Sequence, residues 1–481
     1  MNRQISHLFA VVLVLFTLLV VFTSRWTVFE AKSLQDNTAN KRPLLEQLQI
    51  PRGYIYADDG TVLARNVRHG HGSTKTYSRT YPTDSLFSHT VGYSFISRGD
   101  AGLEKEYNDD LSGNANEFDS IIDELTGQKK EGNDLHTTLD PPAQRLALQL
   151  LAGRPGSAVA LDPRTGAVRV MASVPDYNPN GVPSQYRRLN TDRAAPLLNR
   201  ATQGGYPPGS TMKVVTAVAA IDSGRYTPDS VVSGRSPKVI GGVSLSNCCT
   251  EGSGNYGPLP LTEALAKSVN TVWGEVGEKL GKSTMFKYMR RFGFDKKPQI
   301  DLPRDELVPS GVYGSHGQLL GPGDPIDIGR VAIGQERLRV SPLQMAEVAA
   351  TVANGGKLMK PRLVERIEAP DGRTVGTRGP AEIDRVMKQS TADEVTAMME
   401  QVVKAGTATA AQIPGVTVAG KTGTAEVANG TANQAWFIAF APVPNPRVAI
   451  AVTVERTQGE GGTVAAPIAK QIIQLLLKEK R

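Results

Sequence analysis

Cysteine is almost absent from this sequence, since 481 residues include only the two neighbours Cys248 and Cys249. Adjacent cysteines fit neither the ligand spacing of a zinc site nor a Cys-x-x-Cys redox pair. We therefore expect no metal site and no other cofactor. Two loop thiols without a catalytic role are the simplest interpretation, and a regulatory disulfide between the two neighbours is the alternative.

Clusters of basic residues are also missing. The 54 Lys and Arg residues exceed the 47 Asp and Glu residues, for a formal net charge of +7, but they are scattered along the chain. A protein that binds nucleic acid usually concentrates its cations on one face, so we expect no nucleic-acid partner. Apolar residues make up 40% and charged residues 21% of the chain, a balance that is typical of globular domains and argues against disorder.

A long apolar run occurs at the N-terminus. Residues 8–22, LFAVVLVLFTLLVVF, include one polar residue, and the segment from Ile5 to Ser24 is 20 residues long. A helix of this length spans the ~30 Å hydrocarbon core of a membrane. A cleaved signal peptide is the alternative, but Arg25 and the aromatic residue after it are poor cleavage-site residues. We predict an uncleaved single-span anchor within residues 1–30.

Residues 31–150 are predicted to form a polar stalk and a smaller α+β module. In residues 51–66, PRGYIYADDGTVLARN, alternating Tyr and Ile residues lead into an Asp-Asp-Gly turn, which is typical of a hairpin. Residues 141–153, PPAQRLALQLLAG, have a proline start, continuous helix formers and a glycine stop. This pattern predicts a helix at the end of the module.

Five strands are predicted in residues 151–481, on either side of a long helical region. GSAVALDPRTGAVRVMASV contains two strands around a strong turn signal, and VTVAGKTGTAEV, QAWFIAFAP and RVAIAVTVE supply three more near the C-terminus. An amphipathic helix, APIAKQIIQLLLKEK, follows them. If all five strands join one sheet, the two ends of this domain meet and helices cover the sheet.

Two prolines and a glycine interrupt the chain directly before Ser210, in YPPGSTMKVV. A helix is predicted to begin at Ser210, and the apolar residues that follow predict its burial. Residues i and i+3 share a side of a helix, so Lys213 faces the Ser210 hydroxyl. Burial disfavours the ammonium form, and a neutral amine can accept the serine proton. The pattern indicates an activated nucleophile; a capping serine beside a snorkelling lysine is the alternative.

Three Ser-x-Asn triplets could supply a proton path and a substrate donor. Residues 112–114 and 253–255 lie in glycine-rich stretches and are typical of turns. The third triplet, Ser268 with Asn270, separates two predicted helices, LTEALAKSV and NTVWGEVGEKL, and both side chains can point into a cleft there. We select the third triplet, with an ordinary helix break as the alternative.

A Lys421-Thr422-Gly423 triplet lies inside the predicted strand VAGKTGTAEV. Glycine is unfavourable within a strand unless another backbone or a ligand approaches closely. The cationic and hydroxyl groups around it, including Thr424, suit an extended peptide that ends in a carboxylate and lies along the strand edge. A solvated strand is the alternative interpretation of this triplet taken alone.

In this order, the motifs S-x-x-K, S-x-N and K-T-G resemble the motif set of penicillin-binding proteins and serine β-lactamases. The chain is most similar to class B penicillin-binding proteins, the monofunctional D,D-transpeptidases of peptidoglycan synthesis. Family-like stretches run from residue 51 to residue 442 and include GLEKEYNDDLSG, TTLDPPAQ, NRATQGGYPPGSTMK and IGQERLRVSPLQMAEVAATVANGG. One departure is Ala57-Asp58, where the family usually has an Asp-Arg pair after Arg-Gly-x-Ile.

The resemblance implies an α/β (α+β) serine acyltransferase fold of the penicillin-binding and β-lactamase type. Its five-stranded antiparallel sheet would be covered by helices. The D-Ala-D-Ala end of a stem peptide would acylate Ser210, with Lys213 as the base. Ser268 would relay the proton to the leaving amine, and Asn270 would hold the substrate amide.

The resemblance also assigns the remaining substrate contacts. Lys421, Thr422 and Thr424, in the strand segment that contains Gly423, would bind the terminal carboxylate of the substrate. The N–H groups of Ser210 and Thr424 would form the oxyanion hole. The implied partners are peptidoglycan stem peptides, β-lactam antibiotics, the membrane and a membrane glycosyltransferase of the SEDS type. The catalytic domain would lie on the outer side of the cytoplasmic membrane. The resemblance fits a role in cell elongation and equally one in cell division.

Three related functions are alternatives. A carboxypeptidase differs only in accepting water in place of an amine, and a membrane-anchored β-lactam sensor can retain the motifs. A β-lactamase needs a deacylating base, often Glu in an E-x-x-L-N loop, and the stretch at Glu306, ELVPS, does not match. A bifunctional enzyme is excluded because residues 31–150 are too few for a glycosyltransferase domain.

Overall fold

The computed structural model describes residues 2–25, 48–72, 75–113, 130–247, 254–427 and 432–478. The two cysteines, most of the predicted stalk, Asn114 and Ser253 lie outside these ranges. The strands of the two large sheets are, in chain order, β1 (Ile55–Tyr56), β2 (Val62–His69), β3 (Thr76–Thr80), β4 (Asp134–Thr137), β5 (Gly156–Leu161), β6 (Val168–Val174), β7 (Val364–Glu368), β8 (Thr374–Thr377), β9 (Ala419–Val427), β10 (Ala432–Ala441) and β11 (Val448–Thr457).

Helices of six residues or more are labelled in the same way. They are α1 (Asn2–Ser24), α2 (Pro141–Leu151), α3 (Val182–Thr191), α4 (Lys213–Asp222), α5 (Leu261–Ala266), α6 (Asn270–Arg291), α7 (Pro342–Ala353), α8 (Gln389–Ala405) and α9 (Ala466–Lys478). Short strand pairs join Ser94–Phe95 to Gly99–Asp100, Val231–Gly234 to Tyr256–Pro260, Lys238–Ile240 to Val243–Leu245, Gly311–Val312 to Leu338–Arg339, and Lys357–Met359 to Glu382–Arg385.

Helix α1 contains the predicted membrane anchor. The segment Arg3–Ser24 has a mean hydropathy of 2.8, and none of it is buried against the part of the chain that the structure describes. Apolar side chains therefore point outward all round the helix, which suits lipid and not water. The helix is long and apolar enough to cross a membrane, and it begins three residues before the predicted segment.

The N-terminal sheet has the order β8-β7-β4-β1-β2-β3. The predicted hairpin is present, because β1 pairs antiparallel with β2 and Gly60 occupies the turn with a φ of 85°. Strands β7 and β8 come from the other half of the chain, far from the module in sequence. This contribution was not predicted from the sequence. The predicted helix is α2, which Asp140 caps by accepting a hydrogen bond from the Ala143 N–H at 2.9 Å.

The second sheet has the order β9-β10-β11-β5-β6, with every neighbouring pair antiparallel. This confirms that two early strands and three late strands form one five-stranded sheet. All six residues of β5 are buried, so both faces of the sheet are covered. Helices α7 and α9 pack against β11, α8 packs against β9, and α2 packs against β6.

Helix α4 lies at the centre of the catalytic half. Every residue from Lys213 to Ile221 is buried, which confirms the predicted central helix, and α4 packs against α6 and α8. The turn before α4 contacts the edge strand β9. This packing brings the three sequence motifs to one place.

Candidate active site

Ser210 lies in a 3-10 turn, Gly209–Met212, that leads directly into α4. The helix was predicted to begin at Ser210, whereas the turn already begins at Gly209. The φ of Gly209 is 52°, a left-handed conformation that favours glycine. A Cβ on Gly209 would lie 2.7 Å from the Thr424 carbonyl oxygen, so the turn is in backbone contact with β9. Ser210 itself is only partly buried and can be reached by a ligand.

The Lys213 amine is fully buried and contacts the third Ser-x-Asn triplet. Its Nζ donates to the Ser268 carbonyl oxygen at 2.7 Å and to Asn270 Oδ1 at 2.6 Å, and it lies 3.2 Å from Ser268 Oγ. A neutral amine keeps two N–H groups, enough for the two shorter hydrogen bonds. The hydroxyl of Ser268 can then donate to the amine, so the contacts suit a base that gains and loses a proton.

The Lys421 amine contacts the same hydroxyl from β9. Lys421 is fully buried, and its Nζ donates to Ser268 Oγ at 2.9 Å and to the Thr422 carbonyl oxygen at 3.0 Å. Burial, and secondly the neighbouring charge of Lys213, holds the pKa of Lys421 well below its ordinary value. Repulsion between two ammonium groups is mutual, and the loss of one proton from either amine relieves it. The Ser268 hydroxyl bridges both amines and provides a proton path.

Ser268 adopts a backbone conformation that is rare outside glycine. Its φ is 57°, in the left-handed region, which costs about 1–3 kcal/mol where the surroundings impose it. Its N–H donates to the Leu265 carbonyl oxygen at 3.1 Å as α5 ends, and α6 begins two residues later at Asn270. The predicted junction between two helices is confirmed. Its strained backbone keeps the Ser268 hydroxyl between the two lysines.

Asn247 fixes this junction and was not identified from the sequence. Its Oδ1 accepts a hydrogen bond from the Thr271 N–H at 2.9 Å, in the first turn of α6, and its Nδ2 donates to the carbonyl oxygens of Gly254 and Gly234 at 2.9 and 3.1 Å. The Asn270 Nδ2 donates to the carbonyl oxygen of Ser246, beside Asn247, at 3.3 Å. A single polar residue in a loop carries no signal of such a role, because its partners lie far away in sequence.

Gly423 is in close contact with the segment that bears Ser210. A Cβ at Gly423 would lie 2.7 Å from the Pro208 carbonyl oxygen, 2.9 Å from Thr211 Cγ2 and 3.0 Å from Trp436 Cβ. The interpretation that another backbone approaches this strand glycine is therefore confirmed. The indole N–H of Trp436 also donates to the Pro207 carbonyl oxygen at 2.9 Å, which holds the proline turn against the sheet.

Two hydroxyl groups lie along the edge strand β9. Residues two apart in a strand point to the same face, so Thr422 and Thr424 share a face that Lys421 does not. Thr422 Oγ1 lies 2.6 Å from Thr407 Oγ1, just after α8, and Thr424 Oγ1 accepts a hydrogen bond from the Gly461 N–H at 3.3 Å. Neither Thr407 nor Gly461 was singled out from the sequence.

Lys213, Ser268, Asn270 and Lys421 form one set of hydrogen bonds, and Gly423 contacts the Ser210 turn. The site thus combines a reachable hydroxyl, two amines that repel one another's charge, and a bridging hydroxyl, which are the parts of a nucleophilic acyl-transfer site. In the competing triplet at residues 253–255, Asn255 Oδ1 accepts a hydrogen bond from the Ser236 N–H at 3.3 Å, a contact away from Lys213 and Ser268.

Glu306 makes a structural contact in the fold, which differs from the role of a deacylating base. Its carboxylate accepts a hydrogen bond from the Gly102 N–H at 3.0 Å, and its carbonyl oxygen accepts one from Thr202 Oγ1 at 2.9 Å. Burial is the main cause that raises the pKa of the Glu306 carboxyl. The side chain therefore links the N-terminal module to the catalytic half.

Two family models match the chain. The penicillin binding protein transpeptidase domain matches residues 156–474, which is more than half of the chain, and the penicillin binding protein A dimerisation domain matches residues 52–135. The first match contains every residue of the candidate site.

Curated relatives match over the full length. The peptidoglycan D,D-transpeptidase PbpA of Mycolicibacterium smegmatis is 34% identical, with 100% of both chains covered. The PbpA of Mycobacterium tuberculosis (strain H37Rv) is 32% identical, with 99% of both chains covered. The solved structure of penicillin-binding protein A from M. tuberculosis as a penicillin G acyl-enzyme complex is 31% identical, covering 89% of this chain and 100% of that chain with a TM-score of 0.78.

Proposed function

The chain belongs to the penicillin-binding protein transpeptidase family, and on that premise we propose how it acts as a peptidoglycan D,D-transpeptidase. Ser210 is the nucleophile that the D-Ala-D-Ala end of a stem peptide acylates. The observation that carries this proposal is the hydrogen-bonded set of Lys213, Ser268 and Lys421 beside the turn that presents Ser210. β-Lactams act as substrate mimics at the same serine.

Acylation requires a neutral amine at Lys213. The Ser210 hydroxyl proton moves to this amine while Oγ attacks the carbonyl carbon of the penultimate D-Ala. When the C–N bond breaks, the proton passes from Lys213 through the Ser268 hydroxyl to the departing D-Ala amine. An amine of a second stem peptide then attacks the ester, its proton returns by the same path, and Ser210 is regenerated as the cross-link forms.

Strand β9 supplies the substrate contacts in this proposal. The Thr422 and Thr424 hydroxyls donate to the terminal carboxylate, and Lys421 adds a positive field when it carries the proton that the two amines share. Asn270 holds the substrate amide. The N–H groups of Ser210 and Thr424 stabilise the oxyanion, and the loss of one such donor typically costs about 3–4 kcal/mol. The close backbone contact between Gly209 and Thr424 supports this pairing of donors.

We propose that α1 anchors the protein in the cytoplasmic membrane and that the catalytic half lies outside it. Residues 1–30 then form the cytoplasmic tip and the anchor, 31–150 the pedestal or dimerisation-type module, and 151–481 the catalytic domain. The apolar, unburied surface of α1 supports the anchor. A SEDS-type membrane glycosyltransferase is the proposed partner, because a chain of this family cross-links glycan strands that another enzyme must polymerise.

Transfer is tested with the full-length protein in detergent. A donor peptide that ends in D-Ala-D-Ala is incubated with a labelled D-amino acid, and the products are separated by mass. We expect the label in the donor peptide, and no product with Ser210→Ala. Hydrolysed peptide without label would indicate a carboxypeptidase, and the absence of both products would indicate a sensor.

A second measurement separates a transpeptidase from a β-lactamase. After penicillin is removed, the acylated mass should persist for minutes to hours, because Glu306 is held in a structural contact and no E-x-x-L-N base occurs at that place. A β-lactamase would clear the adduct within about a second, given usual turnover numbers of ~1–10³ s⁻¹. Rapid decay that disappears in Glu306→Gln would identify Glu306 as the base after all.

A further inference from the structure

A cavity of about 260 Å³ lies at the end of α6 opposite to Asn270. Its walls come from the last turn of α6, the loop that follows, α7, and the short strand pair of residues 357–359 and 382–385. Its charged and amide side chains are Arg290, Arg291, Lys296, Lys297, Gln344, Glu347 and Asp384. None of these residues belongs to the candidate active site.

Glu347 is the unusual member of this lining. The residue is only 5% exposed, and within the described part of the chain its carboxyl has neither a hydrogen bond nor an ion pair. Burial alone raises the pKa of this carboxyl to about 8. Its oxygens are not among the sealed polar atoms without a partner, and the side chain lines the cavity, so this carboxyl can contact a ligand that enters there. At neutral pH it is mostly protonated and can donate a hydrogen bond.

The other charged groups of the lining are mostly cations. Arg290 Nε pairs with a carboxylate at 3.0 Å, Arg291 Nη1 donates to a carbonyl oxygen at 3.1 Å, and Lys297 Nζ donates to a carbonyl oxygen at 2.6 Å. Each of these groups keeps further N–H donors, because a guanidinium has five and an ammonium has three. Among the described residues of the lining, Asp384 is the only other acidic residue. Asp295 and Asp222 lie outside the lining and pair with Arg290 and Arg291, so the four cations still leave a net positive charge that favours an anion.

We propose that this cavity binds a phosphate ester, with Arg290, Arg291, Lys296 and Lys297 around the charged oxygens and the Glu347 carboxyl donating to a ligand oxygen. A phosphodiester presents two anionic and two ester oxygens in a tetrahedral arrangement, which donors on several walls of the cavity can reach, whereas a carboxylate presents two oxygens in one plane. A soluble phosphodiester and a phospholipid headgroup both present this chemistry. The site is independent of Ser210 and does not depend on the proposed reaction.

Calorimetry on the full-length protein in a phosphate-free maltoside detergent tests the site, with glycerophosphoglycerol as the probe. The charge of this phosphodiester is constant between pH 6.5 and pH 9. We expect saturable binding at pH 6.5 and about tenfold weaker binding at pH 9, because only about a tenth of Glu347 carboxyls remain neutral there. Glu347→Gln, which keeps a donor and cannot ionise, should bind equally at both pH values.

Charge variants provide the matched comparison. Lys296→Ala and Lys297→Ala should each weaken binding severalfold, and Lys287→Ala, an exposed lysine of α6 outside the lining, should not. No saturable binding by the wild type, or the same tenfold fall with pH in Glu347→Gln, would overturn the proposal. If Lys287→Ala weakened binding as much as Lys296→Ala and Lys297→Ala, the binding would be non-specific charge attraction, and this result would also overturn the proposal.

Repeating the titration in nanodiscs of phosphatidylglycerol distinguishes a phospholipid headgroup from a soluble phosphodiester as the ligand of the cavity. If a lipid headgroup occupies the cavity, the probe should bind much more weakly than in detergent. If a soluble phosphodiester is the ligand, the affinity should be the same in both. Penicillin acylation in each sample shows that the variants are folded, and absence of probe binding in both samples contradicts the site.

Discussion

Replacing Gly423 with alanine tests whether β9 and the Ser210 turn must touch. The added Cβ would meet the Pro208 carbonyl oxygen at 2.7 Å, Thr211 Cγ2 at 2.9 Å and Trp436 Cβ at 3.0 Å. The Thr211 side chain is itself held by a 2.8 Å hydrogen bond to Pro208, so none of these atoms can swing away. The strand or the turn must therefore move. Such overpacking costs about 1–3 kcal/mol, and a shift of about 1 Å between reacting groups can slow a reaction about 100-fold.

The assay is the second-order rate of acylation by a fluorescent penicillin, measured beside the melting temperature. We expect Gly423→Ala to remain folded with a lower melting temperature and to acylate about 100-fold more slowly. Gly257→Ala is the matched control, because Gly257 is exposed and an added Cβ would meet nothing within 4 Å. Acylation of Gly423→Ala at the wild-type rate would refute the reasoning that this contact positions Ser210.

Three further changes test the groups around Ser210. Lys213→Arg retains a charge but cannot act as a base, so acylation should fall by several orders of magnitude in a folded protein; near-normal acylation would make Lys213 a structural cation. Asn270→Ala should slow acylation and Asn255→Ala should not, and equal effects would mean that the wrong triplet was selected. Lys421→Met removes the charge that favours a neutral amine at Lys213, so the rising limb of the acylation rate against pH should move to higher pH. An unchanged limb would show that the two amines do not share a proton.

The sequence was sufficient for the parts of the fold that depend on local pattern. Continuous apolar strands and the Pro-Pro-Gly break have a local physical meaning, and the glycine within β9 indicates a close contact without identifying its partner. All three interpretations match the structure. The helix junction at Ser268 could also be located, because helix formers end on one side and begin again on the other.

Contacts between distant segments could not be predicted in this way. Strands β7 and β8 join the N-terminal sheet although more than two hundred residues separate them from β4, and no local pattern specifies such a pairing. Asn247 and Thr407 are ordinary polar residues in sequence, and their roles come from partners that the fold brings to them. The close approach of Gly209 to the Thr424 carbonyl oxygen is likewise a contact between segments more than two hundred residues apart.

The central claim, that Ser210 is the acylated nucleophile, is tested most directly by mass spectrometry after exposure to penicillin G. The intact protein should gain one penicilloyl mass, and after trypsin digestion that mass should lie on the peptide of residues 201–213, ATQGGYPPGSTMK. Ser210→Ala should gain none. An adduct that persists in Ser210→Ala, or one found on a different peptide of the wild type, would contradict the assignment.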